Sequence, residues 1–436
     1  MKPHLLLVAI LVLVSCVFVP GLLLAETLGE ESTGRVKSFL PSSLPIPAQV
    51  ENNPRVAILI LENQNRFPIS IPFPYKVLST EGSFSEPALS SSDVTLTNQG
   101  IAIGNQFFTT PQITIATGDR YFELGKRSYR GNLSIIQNSK GALNAVNEVQ
   151  IEDYLKGVLA WEVNSQWPEE SLKAQAVASR TFALFKFLEH AKEKHMLTSG
   201  VLSQVYAGKN AEKIFTNRAV DLTEGEILTF GGNIFPAFFH SACGGHTTEA
   251  ERAWRIQPNF VLRGVVCPYC RKSKHYEWQV SVPLEKIQSQ LASQKFTISP
   301  IQNITFTDYD ASGRAQKVSV RHQKGELKLD ANDFRLFIDP DLIRSTKASV
   351  KVSGKQAHFS GLGWGHGVGM CQWGAKTQAE AGKTYQQILA FYYPGSEVVK
   401  LYGTNKSESQ VKSAGNQSDD LSLIEKAEKL MNDWIG

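Results

Sequence analysis

Cysteine is scarce in this chain. Five residues among 436 are too few for a disulfide-dense secreted scaffold, so core packing must hold the fold. An excess of either charge is also missing. The 45 Lys and Arg stand against 41 Asp and Glu, a formal +4, which leaves no electrostatic footprint for nucleic acid. With 42% hydrophobic and 20% charged residues the composition is that of a globular protein and excludes wholesale disorder, collagen and coiled coil. No internal repeat is visible. The length predicts about two to three structural units.

What is present begins with an uncharged apolar run, LLLVAILVLVSCVFVPGLLLA at residues 5–25, preceded by Lys2. Such a run is an export signal or a single anchor. Three outcomes are open: cleavage after Ala25, retention as a membrane anchor, or cleavage before Cys16, because Leu13-Val14-Ser15-Cys16 has the form of a lipobox. Each places the body outside the cytoplasm, in the envelope of a bacterial cell or secreted from it. Residues 26–54 are rich in Ser and Pro without periodicity and are expected to be a linker.

The expected body spans residues 55–402. Short β-branched segments punctuated by Gly, Asn and Pro predict strands over 55–150. At Trp167-Pro168-Glu169-Glu170 the texture changes, since Pro followed by two acids suits a helix N-terminus. The Ala-rich, almost wholly apolar sequence that follows predicts a buried helix within 151–275, with Lys173 and Arg180 on one stripe. Residues 276–402 are expected to hold strands, a short helix at 284–293, the Gly-rich loop GLGWGHGVGMCQWGA at 361–375, and two closing helices. The second of these opens on a capping box of Thr384 and Gln387. Residues 403–436 read as a polar linker followed by an amphipathic helix at 422–435, which either packs on the body or docks on a partner. The fold class is therefore mixed α+β.

Two constellations carry chemistry. Glu162 lies between Trp161 and Val163 and close to Trp167; apolar neighbours disfavour a carboxylate and favour a proton donor. The second is His240-Ser-Ala-Cys243-Gly-Gly-His246 with Cys267-Pro-Tyr-Cys270 and His275. A C-x-x-C pair lets two thiolates face one ion, and Cys243 with one histidine, taken as His246, would complete a closed structural zinc site. A disulfide from Cys243 to one of the pair, or within it, is the competing expectation. His366 and Cys371, five residues apart, have no evident orienting group and are set aside as a base and thiol nucleophile.

Taken in order, YRGNL at 129–133, VNEVQIEDYLKGVLAWEV at 146–163, WPEESLKAQAVASRTFAL at 167–184, QVYAG at 204–208, FHSACGGHT at 239–247, and GWGHGVGMCQWGA with ILAFYYPG at 363–395 resemble the SpoIID/LytB family, the family of stage II sporulation protein D. The resemblance implies a lytic transglycosylase that cleaves the MurNAc-GlcNAc β-1,4 bond of peptidoglycan glycan strands, chiefly denuded ones, with formation of 1,6-anhydro-MurNAc. It puts Glu162 at the catalytic glutamate and Arg180 at a groove-lining arginine. Lys173, Tyr206, Ser241, Trp364, His366 and Gln372 are the further residues expected to hold sugars, with His366 alternatively capping a turn. Cys371 departs from the Ser common in the family's Gly-rich block and Phe182 from a frequent Tyr. The resemblance permits zinc without requiring it. It also leaves a second expectation, a glycan-binding enhancer of a cell-wall amidase.

Overall fold

A computed structural model describes residues 41–47, 53–118, 120–191, 206–254 and 256–403. The expected anchor segment and the amphipathic helix at 422–435 lie outside the described residues. Among those described, no helix is long and apolar enough to cross a membrane.

Residues 55–150 are built of strands. One six-stranded sheet runs Arg55–Gln64, Leu143–Gln150, Asn132–Gln137, Gln112–Ala116, Tyr75–Ser79 and Gly82–Glu86; a second contains Arg66–Ile71, Leu89–Thr97, Tyr121–Leu124 and their neighbours. Every pairing in both is antiparallel. The alternation that marks the strands also sets their faces: Ile113, Ile115, Leu133 and Ile135 point inward against Ile69, Val94, Ile101 and Phe122 of the opposing sheet.

Among the described residues eight α-helices follow: α1 (Ile151–Glu162), α2 (Glu169–Ala191), α3 (Ile214–Leu222), α4 (Ala250–Ala253), α5 (Leu284–Ser293), α6 (Ala331–Ile338), α7 (Gln372–Glu380) and α8 (Tyr385–Tyr392). Helix α2 is buried along most of its length, as its lack of a polar face requires. Its small residues divide two cores. Ala174, Val177 and Ala178 meet Phe238, Met370 and Leu389, while Ala176, Ala183 and Phe185 meet Tyr154, Leu155 and Val158 of α1. The α8 capping box forms as expected: the Gln387 amide donates to Thr384 Oγ1 at 3.4 Å, and the Thr384 amide to Gln387 Oε1 at 3.1 Å.

Residues 277–362 build a unit with its own core. Two three-stranded antiparallel sheets (Glu277–Pro283, Gln356–Leu362 and Ala348–Ser353; Ile301–Tyr309, Ala315–His322 and Gly325–Asp330) enclose Phe306, Phe334, Val318 and Phe359 with α5 and α6. Helix α6 interrupts the stretch beyond the expected helix at 284–293, where the sequence predicts strand-like pieces; its start, Ala-Asn-Asp, conceals the apolar face of Phe334 and Ile338.

One expectation is corrected at the other end of the chain. Within the stretch taken as linker, Leu44–Pro45 pairs antiparallel with Asn233–Ile234, and Leu44 is buried against the α1 and α2 core. A bridge of two residues is too short to leave a periodic signal.

Candidate functional site

Helix α1 begins directly on the last strand of the sandwich, so the buried Ile151, Tyr154, Leu155 and Val158 fix its rotation. Glu162 is its final residue, half-buried, at the rim of a cleft of about 400 Å³. Burial and then the Glu162 carboxylate push the Tyr154 phenol well above its usual range.

Three further walls close around it. Ser241 comes from the strand Phe239–His240 and its continuation; Trp364 and Gly365 come from the Gly-rich loop; Gln372 and Trp373 open α7. Strand Met370–Cys371 pairs in parallel with Phe239–His240, Trp364 and Ala242 exchange backbone hydrogen bonds at 2.8 and 3.0 Å, and the Trp373 amide donates to Ser241 O at 3.1 Å. The glycines of the loop serve this contact. Gly369, at φ +67°, would place a Cβ 2.0 Å from Phe238 O, and Gly365, at φ +107°, one 2.9 Å from His240 Cβ. The close approach is to the protein's own chain.

Trp161, Trp167, Trp364 and Trp373 make the cleft aromatic. The His275 ring sits 4.5 Å from that of Trp364 and 6.1 Å from that of Trp373, and the Arg344 guanidinium lies 5.2 Å from the Trp364 ring centre. Lys274 and His275 line the same space, and the 277–362 unit closes it with Arg335, Pro340 and Asp341. Rings that can stack and polar groups that can hydrogen-bond thus share one cleft.

Of the expected sugar-holding residues, Ser241, Trp364 and Gln372 line the cleft with Glu162, and four do not. Arg180 is fully buried: Nε and Nη2 grip both oxygens of Glu152 at 2.8 and 2.6 Å, and the guanidinium also donates to the Glu226 and Val220 carbonyls. Burial alone would raise the Glu152 carboxyl, but the Arg180 charge and hydrogen bonds from Arg180, Tyr402 and the Gly225 amide hold it below its ordinary value. Lys173 is paired with Glu169 and Glu170 at 2.9 and 3.0 Å. The Tyr206 hydroxyl donates to Asn147 at 2.7 Å, with its ring packed between Tyr129 and Tyr154. His366 caps a turn, its Nδ1 accepting from the Val368 amide at 3.1 Å, and burial drives its pKa well down. Sequence reasoning missed Lys274, Arg335, Asp341 and Trp373 as cleft residues. Those on the 277–362 unit, Arg335 in α6 and Asp341 in the turn that follows it, carry no local signal.

The metal set is corrected as well. Cys243, Cys267, Cys270 and Cys371 are all buried, with every Sγ within 4.8 Å of the others. His246 turns away, its Nδ1 2.6 Å from Thr247 O. Cys371 is brought in by the parallel strand pairing, and the Cys243 amide donates to its sulfur at 3.3 Å. The one visible clue was that Cys371 stands where Ser is common. The Cys243 and Cys270 sulfurs are 3.4 Å apart, against about 2.05 Å in a disulfide. Four thiolates on a tetrahedral zinc, at about 2.3 Å each, lie about 3.8 Å from one another. The donor set therefore fits zinc in a closed site. Burial, together with the neighbouring thiols, holds the Cys371 thiol well above its ordinary range, a penalty that a bound cation reverses.

A family model described as stage II sporulation protein matches residues 139–230, and a second, described as a domain of unknown function, matches 268–369. The first spans α1 and α2 with Glu162; the second spans the unit that closes the cleft. An uncharacterized protein of Brachyspira hyodysenteriae is 34% identical over 65% of this chain and 76% of its own length. The amidase enhancer of Bacillus subtilis is 28% identical over 56% of this chain and 40% of its own. Stage II sporulation protein D of Bacillus amyloliquefaciens is 30% identical over 58% of this chain and 76% of its own length. At 30% identity over three quarters of that relative's length, the chain belongs to the stage II sporulation protein D family.

Proposed function

We propose that the protein is a peptidoglycan lytic transglycosylase of the bacterial cell wall, cutting the MurNAc-GlcNAc bond with Glu162 as acid and then base. The observation that carries this reading is a half-buried glutamate at the rim of a cleft lined by tryptophans. In its protonated form Glu162 gives its proton to the glycosidic oxygen as the C1–O bond breaks through an oxocarbenium-like state. The carboxylate then takes the proton of the sugar's C6 hydroxyl, whose oxygen closes on C1. Water is not consumed, and a cleft that excludes it favours this route over hydrolysis. A second acid-base group is not required.

Zinc held by Cys243, Cys267, Cys270 and Cys371 would tie the Ser241 segment, the 267–275 segment and α7 together without touching the reacting bond. Export through the N-terminal segment, by cleavage, anchoring or lipidation, would bring the protein to glycan strands, and denuded strands are the expected substrate.

The test incubates the full chain with denuded and peptide-bearing glycan and reads the products by mass spectrometry. Anhydro-ended fragments from wild type, reduced about 10²- to 10⁴-fold in Glu162→Gln, are expected. Equal cleavage by both proteins refutes the mechanism. The relative named amidase enhancer favours a second reading, in which the cleft grips glycan for a cell-wall amidase. Glycan binding without cleavage, with faster turnover of an added amidase, would establish it.

A further inference from the structure

Among the described residues, Asp341 Oδ1 and His275 Nδ1, on two residues that line the cleft, are buried without a hydrogen-bond partner. Buried groups of this kind are costly unless something bonds to them, and most in folded proteins are bonded. Asp341 is held from behind. Its amide donates to Asp339 Oδ1 at 2.9 Å, and Arg344 Nε donates to its carbonyl at 3.4 Å. Its Oδ1, an acceptor when the carboxyl is ionised, is left without a partner among the described residues. Burial and the Asp339 charge raise its carboxyl, opposed by Arg335 and Arg344.

His275 supplies the opposite polarity. Burial, with the charges of Lys274 and Arg344, holds its pKa down to about 4, so the ring is neutral at physiological pH and can carry a proton on Nδ1. Its flanks are the Trp364 and Trp373 rings. An acceptor, a donor and an apolar aromatic surface in one cleft match the N–H, the carbonyl and the methyl of an acetamide.

We propose that Asp341 and His275 form a subsite for the 2-acetamido group of a β-1,4-linked amino sugar, Asp341 Oδ1 accepting from its N–H and His275 Nδ1 donating to its carbonyl. The inference rests on the reading that this cleft takes glycan, and it gives the 277–362 unit a part in recognition. Because Asp341 lies on the return from α6, that unit reads the sugar's substituent while α1 supplies the acid.

Calorimetric titration of full-length Glu162→Gln with the N-acetylglucosamine tetramer and with cellotetraose tests it. The two ligands share the β-1,4 backbone and neutrality and differ in acetamido against hydroxyl. Binding of the acetylated tetramer about tenfold or more tighter is expected, the worth of two hydrogen bonds. Asp341→Ala in that background should remove most of this selectivity and leave the cellotetraose affinity unchanged. Asp341→Asn, which keeps an acceptor oxygen, should restore part of it. Equal affinity for the two tetramers overturns the subsite even if a variant fails to fold, as does a loss in Asp341→Ala that falls equally on both. Wild-type cleavage of peptidoglycan with acetamido-blind binding sinks the subsite alone. Selective binding without cleavage sinks the transglycosylase reading and leaves the subsite standing.

Discussion

Replacing Arg180 by methionine separates a structural arginine from one that touches substrate. The change removes two bonds to Glu152, at 2.6 and 2.8 Å, from a site where Arg180 is wholly buried and Glu152 is 6% exposed. Tyr402 and the Gly225 amide still bond to Glu152 Oε1, but the carboxylate keeps no cation. Breaking a buried pair from one side costs about 3–5 kcal/mol. At about 2–4 °C per kcal/mol the melting temperature should fall by about 6–20 °C. The double change Arg180→Met with Glu152→Leu should recover most of that loss, because an apolar replacement for a buried pair is often neutral or better. The pair is also linked to pH. Glu152 is held below its unfolded value, near about 4.3, so its contribution is complete above that pH and is lost as pH falls through the folded pKa. The melting-temperature gap between wild type and Arg180→Met should therefore narrow in acid. Scanning calorimetry over pH 3–8, beside glycan cleavage at a temperature where both proteins are folded, measures all of this. If Arg180→Met melts within about 2 °C of wild type yet cleaves nothing, the arginine acts on substrate and the argument is wrong.

Metal analysis should find one zinc per chain in wild type and in His246→Ala and none in Cys371→Ala, with chelation lowering the melting temperature; zinc retained by Cys371→Ala would remove that residue from the site. Gly374→Ala should destabilise by about 1–3 kcal/mol, since its Cβ would fall 1.9 Å from the Tyr392 hydroxyl and 3.1 Å from Cys267 Sγ; an unchanged denaturant midpoint would contradict this. Lys173→Ala should leave KM for glycan unchanged, because its ammonium is taken up by Glu169 and Glu170; a raised KM would return the lysine to the groove.

Local pattern was enough for much of the fold. Alternating β-branched residues set the sandwich of 55–150, the featureless apolar face of 169–186 could only be a buried helix, and Thr384 with Gln387 announced α8 from four positions. The apolar neighbourhood of Glu162 was legible in part, because Trp161 and Trp167 are its chain neighbours, whereas Trp364 and Trp373 reach the cleft from the far end of the fold. The failures share a cause. Arg180 has the same spacing from Lys173 whether it meets a sugar or Glu152, and the choice is made by a carboxylate 28 positions away. Cys371 joins a thiol cluster 128 residues upstream through two residues of parallel strand, a link no local period encodes. Asp341 and Arg335 reach the cleft because a unit with its own core folds back at Glu277 and Leu362. Sequence determined which segments are strand or helix and which carboxylate faces an apolar environment, since those depend on neighbours within a few turns. Tertiary structure alone decided which charges are neutralised inside, which sulfurs converge and which unit closes the cleft, because each is a contact between parts of the chain that only packing brings together.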